Sequence, residues 1–168
     1  MTDKKHKAVH GAALSFLCLL VATASGCMTS FESRFFSKFS LNELVKRNES
    51  VLGLNCSGGG AGSGGISMGT GGVGKNQSHF SRTESMACQI ADATQFDEAK
   101  IIQTLKQTVV QDLGASKAEI IKDDSREGNS FSLQYTLERI AGRVQISGAR
   151  SGNFYTLTAD LVEKNSAK

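Results

Sequence analysis

Residues 131–146 read FSLQYTLERIAGRVQI. Phe131, Leu133, Tyr135 and Leu137 alternate with polar residues, which is the period of a strand with one buried face. The phase breaks around Arg139, and Ile140, Gly142, Val144 and Ile146 alternate in a new register. A turn or bulge is therefore expected between two runs of strand. Downstream, Ser151-Gly152-Asn153 reads as a second turn, and Tyr155, Leu157, Ala159 and Leu161 as the last strand. Upstream, Ala118 to Lys122 is a shorter strand, separated from Phe131 by turn residues at 125–129. Links this short imply antiparallel pairing.

Before the meander lies a helix. Phe96, Ile101, Ile102, Leu105, Val109 and Leu113 recur at helical spacing. Thr94 is placed as N-cap with Asp97 three residues on, and Gly114 sits where a helix commonly ends. The spacing predicts a helix over about 95–113. His79 to Ile90 reads as a strand, though its alternation is imperfect. The fold expected is α+β: one amphipathic helix packed on a roughly four-stranded antiparallel sheet, so that each buries the other's apolar stripe.

Phe31, Phe35, Phe36 and Phe39 would share one helical face, expected to pack into the core, with docking onto the domain or contact with the membrane interface beside the lipid as the functional alternatives. Ser40-Leu41-Asn42-Glu43 has capping-box spacing and starts a short helix ending near Asn48. Val51 to Asn55 is expected to be a short strand. Residues 57–74 hold ten glycines, a composition that cannot build a core and loses much entropy when ordered. That tract is expected to be a flexible loop. The chain divides into residues 1–26, an export signal; 27–50, an anchored segment with a short helix; 51–79, a short strand and the glycine-rich loop; and 80–168, the α+β domain.

The amino terminus gives the address. Lys4, Lys5 and Lys7 precede an apolar stretch from Ala8 to Ala24, and small residues lead to Ser25-Gly26-Cys27. This resembles the signal peptide and lipobox of bacterial lipoproteins. The resemblance covers the first 27 residues only, and it assigns no family to the mature domain. It implies cleavage before Cys27, lipid on that cysteine and attachment to a membrane. The family's retention residue after the lipidated cysteine is aspartate. Met28 stands there, which implies an outer-membrane location facing the periplasm if the source has two membranes. An ordinary cleavage after Ala22-Thr23-Ala24 is the competing reading. The apolar stretch is shorter than the roughly 20 residues of a spanning helix.

Cysteine arithmetic favours the lipid. Cys18 leaves with the signal, and Cys27, Cys56 and Cys88 remain. With Cys27 lipidated, Cys56 and Cys88 form an even pair that can close in an oxidising compartment. Removal of three lysines and Asp3 leaves 16 basic against 15 acidic residues in the mature chain. That balance gives no electrostatic case for nucleic acid, which needs a clustered basic surface.

Three stretches look like functional sites. Gly69-Thr70-Gly71-Gly72-Val73-Gly74-Lys75-Asn76 resembles the phosphate-binding loop of the ATPases that partition chromosomes, with Lys75 in the lysine role. Asn76 replaces the required hydroxyl residue, and no apolar strand or amphipathic helix flanks the loop. No nucleotide is expected. His79 is the one histidine of the mature chain and would have to serve any Ser-His-acid triad. Without a G-x-S-x-G elbow it reads as a polar residue at a loop–strand junction. One histidine and two paired cysteines cannot supply a zinc set, and Asp123, Asp124 and Glu127 read as a solvated turn.

The expectation is a membrane-tethered envelope lipoprotein acting as a non-catalytic binding or assembly module. It needs no cofactor or metal, and its partner is an envelope protein or glycan. The alternative is an envelope hydrolase using His79 with a nearby serine.

Overall fold

The computed structural model describes residues 35–56, 62–63, 67–70, 78–125 and 128–165, and for 62–63, 67–70 and 78–79 the backbone alone. Helices α1 (Phe35–Lys38) and α2 (Leu41–Leu52) open the described chain. Strands β1 (Leu54–Asn55), β2 (Gly62–Ser63), β3 (Ser67–Thr70) and β4 (Ser78–Ile90) follow, then α3 (Glu98–Ala115). Strands β5 (Glu119–Asp123), β6 (Ser130–Leu137), β7 (Ile140–Ser151) and β8 (Phe154–Asn165) complete it.

The main sheet is antiparallel and runs β1-β4-β8-β7-β6-β5, with β2 and β3 also paired to β4. The fold is α+β with six strands on that path, two more than expected from sequence. The difference lies in the two short edge strands: the stretches expected as strands near Val51 to Asn55 and Ala118 to Lys122 both join the sheet, as β1 and β5. β5 shifts register between Ile120 and Lys122, so its side chains do not alternate in burial.

The break at Arg139 is a two-residue turn. Leu137 pairs with Ile140, and Glu138 takes φ 54° between them. Ser151 pairs with Phe154 across Gly152-Asn153, where Gly152 has φ 59°. A left-handed residue at such a turn favours glycine.

Register sets one inner face. Cys88, Tyr155 and Arg150 share a row; Met86, Leu157 and Gly148 the next; then Glu84, Ala159, Ile146 and Phe131; then Arg82, Leu161, Val144 and Leu133. The last row is Phe80, Glu163, Gly142 and Tyr135. Helix α3 lays Ile101, Ile102, Leu105, Val109 and Leu113 on this face, all buried. Helix α2 adds Leu41, Leu44, Val45 and Leu52. Phe35, Phe36 and Phe39 are buried in the same core; Phe31 lies outside the described residues. Two helices therefore cover the sheet, where one was expected.

Helix boundaries moved for local reasons. Asp97, not Thr94, caps α3, accepting from the Lys100 amide at 3.0 Å. Thr94 is engaged earlier, donating through its amide and hydroxyl to Asp92 at 2.8 and 2.6 Å. Phe96 stays outside the helix, with its ring edge-on to Tyr155 at 5.2 Å. Gly114 lies inside α3, and Lys117 takes the left-handed conformation after it at φ 61°. Ser40 caps α2 as the spacing predicts, but the helix runs through Leu52 to Gly53, whose φ is 63°. Val51 is thus helical, and the strand expected over Val51 to Asn55 shrinks to Leu54–Asn55. Within the glycine tract, Gly62–Ser63 and Ser67–Thr70 are strands on β4 rather than loop. The other residues of the tract lie outside the described residues.

Candidate functional site

The inner face should be apolar throughout, because an ionised side chain buried there costs several kcal/mol unless paired. It is not. Arg82 and Glu84 occupy inner positions of β4, and Glu163, which is fully buried, occupies one of β8. Arg82 and Glu84 are the reason the alternation of β4 is imperfect in the sequence.

Each of the three meets the backbone of the chain between Phe36 and Leu41. Glu163 Oε1 accepts from the Phe36 amide at 3.0 Å. It also accepts from the Tyr135 hydroxyl at 2.6 Å. Arg82 Nη2 donates to the Phe36 carbonyl at 3.0 Å and also to the Phe39 carbonyl. Glu84 Oε2 accepts from the Leu41 amide at 2.7 Å, while its Oε1 lies 3.0 Å from Arg82 Nε. Hydrogen bonds to ionised groups are about twice as strong as neutral ones. Two carboxylates and a guanidinium thus form a clasp on two amides and two carbonyls.

The aromatic rings complete the grip. Phe35 stands edge-on to Tyr135 at 5.5 Å, and Phe36 is tilted against Phe80 at 6.1 Å. The Arg82 guanidinium lies 4.8 Å from the centre of the Phe36 ring. Gly142 makes the arrangement possible. A Cβ there would come within 2.2 Å of the Tyr135 ring, so only glycine lets that ring cross β7 toward Glu163.

At the other end of the sheet, Cys56 and Cys88 are bonded, with Cα atoms 4.3 Å apart. They continue the register in which Leu54 faces Ile90 and Asn55 faces Gln89. The disulfide expected from cysteine arithmetic is therefore present. Beside it, the Tyr155 hydroxyl is held protonated well above its ordinary range, first by burial and then by the nearby Glu98 carboxylate. A cleft of about 540 Å³ opens between the end of α2 and the start of α3, lined by Val51, Gly53, Asp92, Phe96, Asp97 and Lys100. Asp92 and Asp97 are already engaged with Thr94 and with the α3 cap.

The remaining sequence candidates fall as follows. Cys27 lies outside the described residues. His79 belongs to β4 and faces Gly69 and Lys164 by register; its side chain lies outside the described residues. The phosphate-loop look-alike begins in β3, and residues 71–77 lie outside. In the acidic turn, Asp123 pairs with Lys106 at 2.5 Å and Asp124 with Lys122 at 2.7 Å, and the Lys106 bond holds Asp123 below its usual pKa. Glu127 lies outside. Among the described residues, no group of three potential metal ligands occurs, and no helix is long and apolar enough to cross a membrane.

Arg82, Glu84 and Glu163 were missed from sequence. Their signal was available: each is a charged residue in phase with an otherwise apolar strand face. Comparison with protein-family models, curated proteins and solved structures found no match.

Proposed function

We propose that this chain is a lipoprotein of a bacterial cell envelope, tethered through lipid on Cys27, and that its domain is a non-catalytic binding or assembly module. The Cys56–Cys88 disulfide carries the reading. A structural disulfide belongs to an oxidising compartment, and this one uses two of the three cysteines that follow the signal. Cys27 is the one left over, and it sits where the lipobox resemblance puts the lipid. The binding role draws on the clasp, in which charged side chains of the sheet hold main-chain groups of another segment. The partner proposed is an envelope protein, and a two-membrane source would place the module on the outer membrane facing the periplasm.

The test is the mature amino terminus. Intact-mass analysis of membrane-extracted protein is expected to show a chain beginning at Cys27 with two or three acyl groups. Cys27→Ser is expected to move the protein out of the membrane fraction and leave the signal unprocessed. An unmodified chain starting at Ser25, or a serine variant that still fractionates with membranes, sinks the proposal.

A further inference from the structure

The geometry points to the clasp as a peptide-binding site that the chain's own residues 36–41 fill in cis, and that an aromatic segment of a partner protein takes over. This rests on the binding-module reading above and names the partner's chemistry. The argument begins with what the site recognises. Glu163, Arg82 and Glu84 contact the amides of Phe36 and Leu41 and the carbonyls of Phe36 and Phe39. Those atoms are common to every non-proline peptide. The side chains the site selects are aromatic: Phe35 against Tyr135, and Phe36 between Phe80 and the Arg82 guanidinium.

An internal packing contact does not need this chemistry. Residues at 82, 84 and 163 could be apolar, as are their neighbours Met86 and Leu161, and a core pair of similar volume often equals or exceeds a buried ion pair in stability. Charged groups aimed at main-chain atoms are instead how a site holds a peptide whose sequence varies around a few anchors. The present occupant is suited to leaving. It is a single helical turn, α1, joined to α2 through Ser40, an extended residue at φ −147° and ψ 125°. Rotation there would free Phe35 to Phe39 while leaving the α2 stripe in place. A competing segment must carry two adjacent aromatics with a third three residues on, as Phe35, Phe36 and Phe39 do. Because the occupant is attached, its effective concentration is in the mM range, so an outside peptide competes only weakly with the intact chain.

Two measurements test this on the mature chain. In native-state hydrogen exchange, the amide of Phe36 is expected to exchange at least 100-fold faster than those of Leu157 and Leu161. Equal rates would mean that the segment leaves only on global unfolding, and would overturn the proposal. The second measurement is rescue by a synthetic peptide of residues 33–42. Phe36→Leu, a mild weakening of the cis occupant, is expected to lower the Tm by several degrees. Saturating peptide is expected to restore at least half of that loss, and a peptide with alanine at the three aromatic positions none of it. Failure of the native peptide to raise the variant's Tm, or equal rescue by the alanine peptide, overturns the site. Neither result bears on the lipid at Cys27, which stands or falls on the mature terminus.

Discussion

Gly142 and Gly148 do the same job on β7, one for each tyrosine. A Cβ on Gly142 would lie 2.2 Å from Tyr135 Cζ, and one on Gly148 would lie 1.7 Å from the Tyr155 hydroxyl oxygen. Neither ring can yield easily, because both tyrosines are fully buried. Alanine at either position forces rings and backbone apart, and overpacking of this kind costs about 1–3 kcal/mol. Gly114 is the contrast. It lies within α3, is exposed, and a Cβ there meets nothing within 4 Å. Replacing a helical glycine by alanine gains about 1 kcal/mol. Thermal melts are therefore expected to order the variants with Gly114→Ala above wild type and Gly142→Ala and Gly148→Ala below it. Gly142→Ala should also expose the Phe36 amide, since it displaces the tyrosine that braces Glu163. Little of this was legible in the chain. In the sequence Gly142 is one beat of an alternating strand, because a sequence does not show which aromatic on the neighbouring strand will lie across a glycine.

Among the elements, legibility followed length and period. Strand β6 buries every second residue from Phe131 to Leu137, and its limits could be read directly. The α3 stripe was equally plain, yet its start was misplaced because Thr94 and Asp97 are both competent caps and only the turn at Asp92 decides between them. Strands β1, β2 and β3 carry two, two and four residues and take their shape from β4. β1 and β2 pair with residues distant in the chain, Leu54 with Ile90 and Gly62 with Ser85, while β3 pairs nearby, Thr70 with Ser78, but lies in a glycine-rich tract that carries no strand period. The Cys56–Cys88 bond fixes the base of this edge across a sequence separation of 32. A loop of that size is stabilised by about 3–4 kcal/mol relative to the reduced chain. Reduction under native conditions, or Cys56→Ala with Cys88→Ala, is expected to lower the Tm by on the order of 10 °C. Exchange protection should be lost first at Leu54 and along the outer edge of β4. A Tm unmoved by reductant would show that the edge pairing alone holds this margin.

For the whole molecule, the proposed address could be argued from the sequence and the clasp could not, for one physical reason. An export signal is read from contiguous residues, whereas Arg82, Glu84 and Glu163 acquire meaning only when β4 and β8 are paired and α1 is laid across them. Two groups away from the clasp set how the fold responds to pH. Tyr155 has its pKa raised by burial and by Glu98. The unfolded chain releases that proton near pH 10, so the native state binds more protons above this value. Stability is then fully present below about pH 10 and is lost as pH rises toward the folded pKa. Asp123 has the opposite sign: the bond to Lys106, and then that to Ser125, hold its pKa below the unfolded value near 3.9. Its contribution is present above about pH 4 and is lost as pH falls through the folded pKa. That acid limb should be shallow and salt-sensitive, because the Asp123 side chain is 44% exposed. The alkaline limb should be steep and indifferent to salt, because Tyr155 is buried. Urea midpoints measured from pH 3 to 11 check both. Tyr155→Phe is expected to flatten the limb above pH 10 and leave the acid limb unchanged. Lysines also titrate near pH 10.4, so an alkaline limb that survives in the phenylalanine variant would assign it to them and remove Tyr155 from the account.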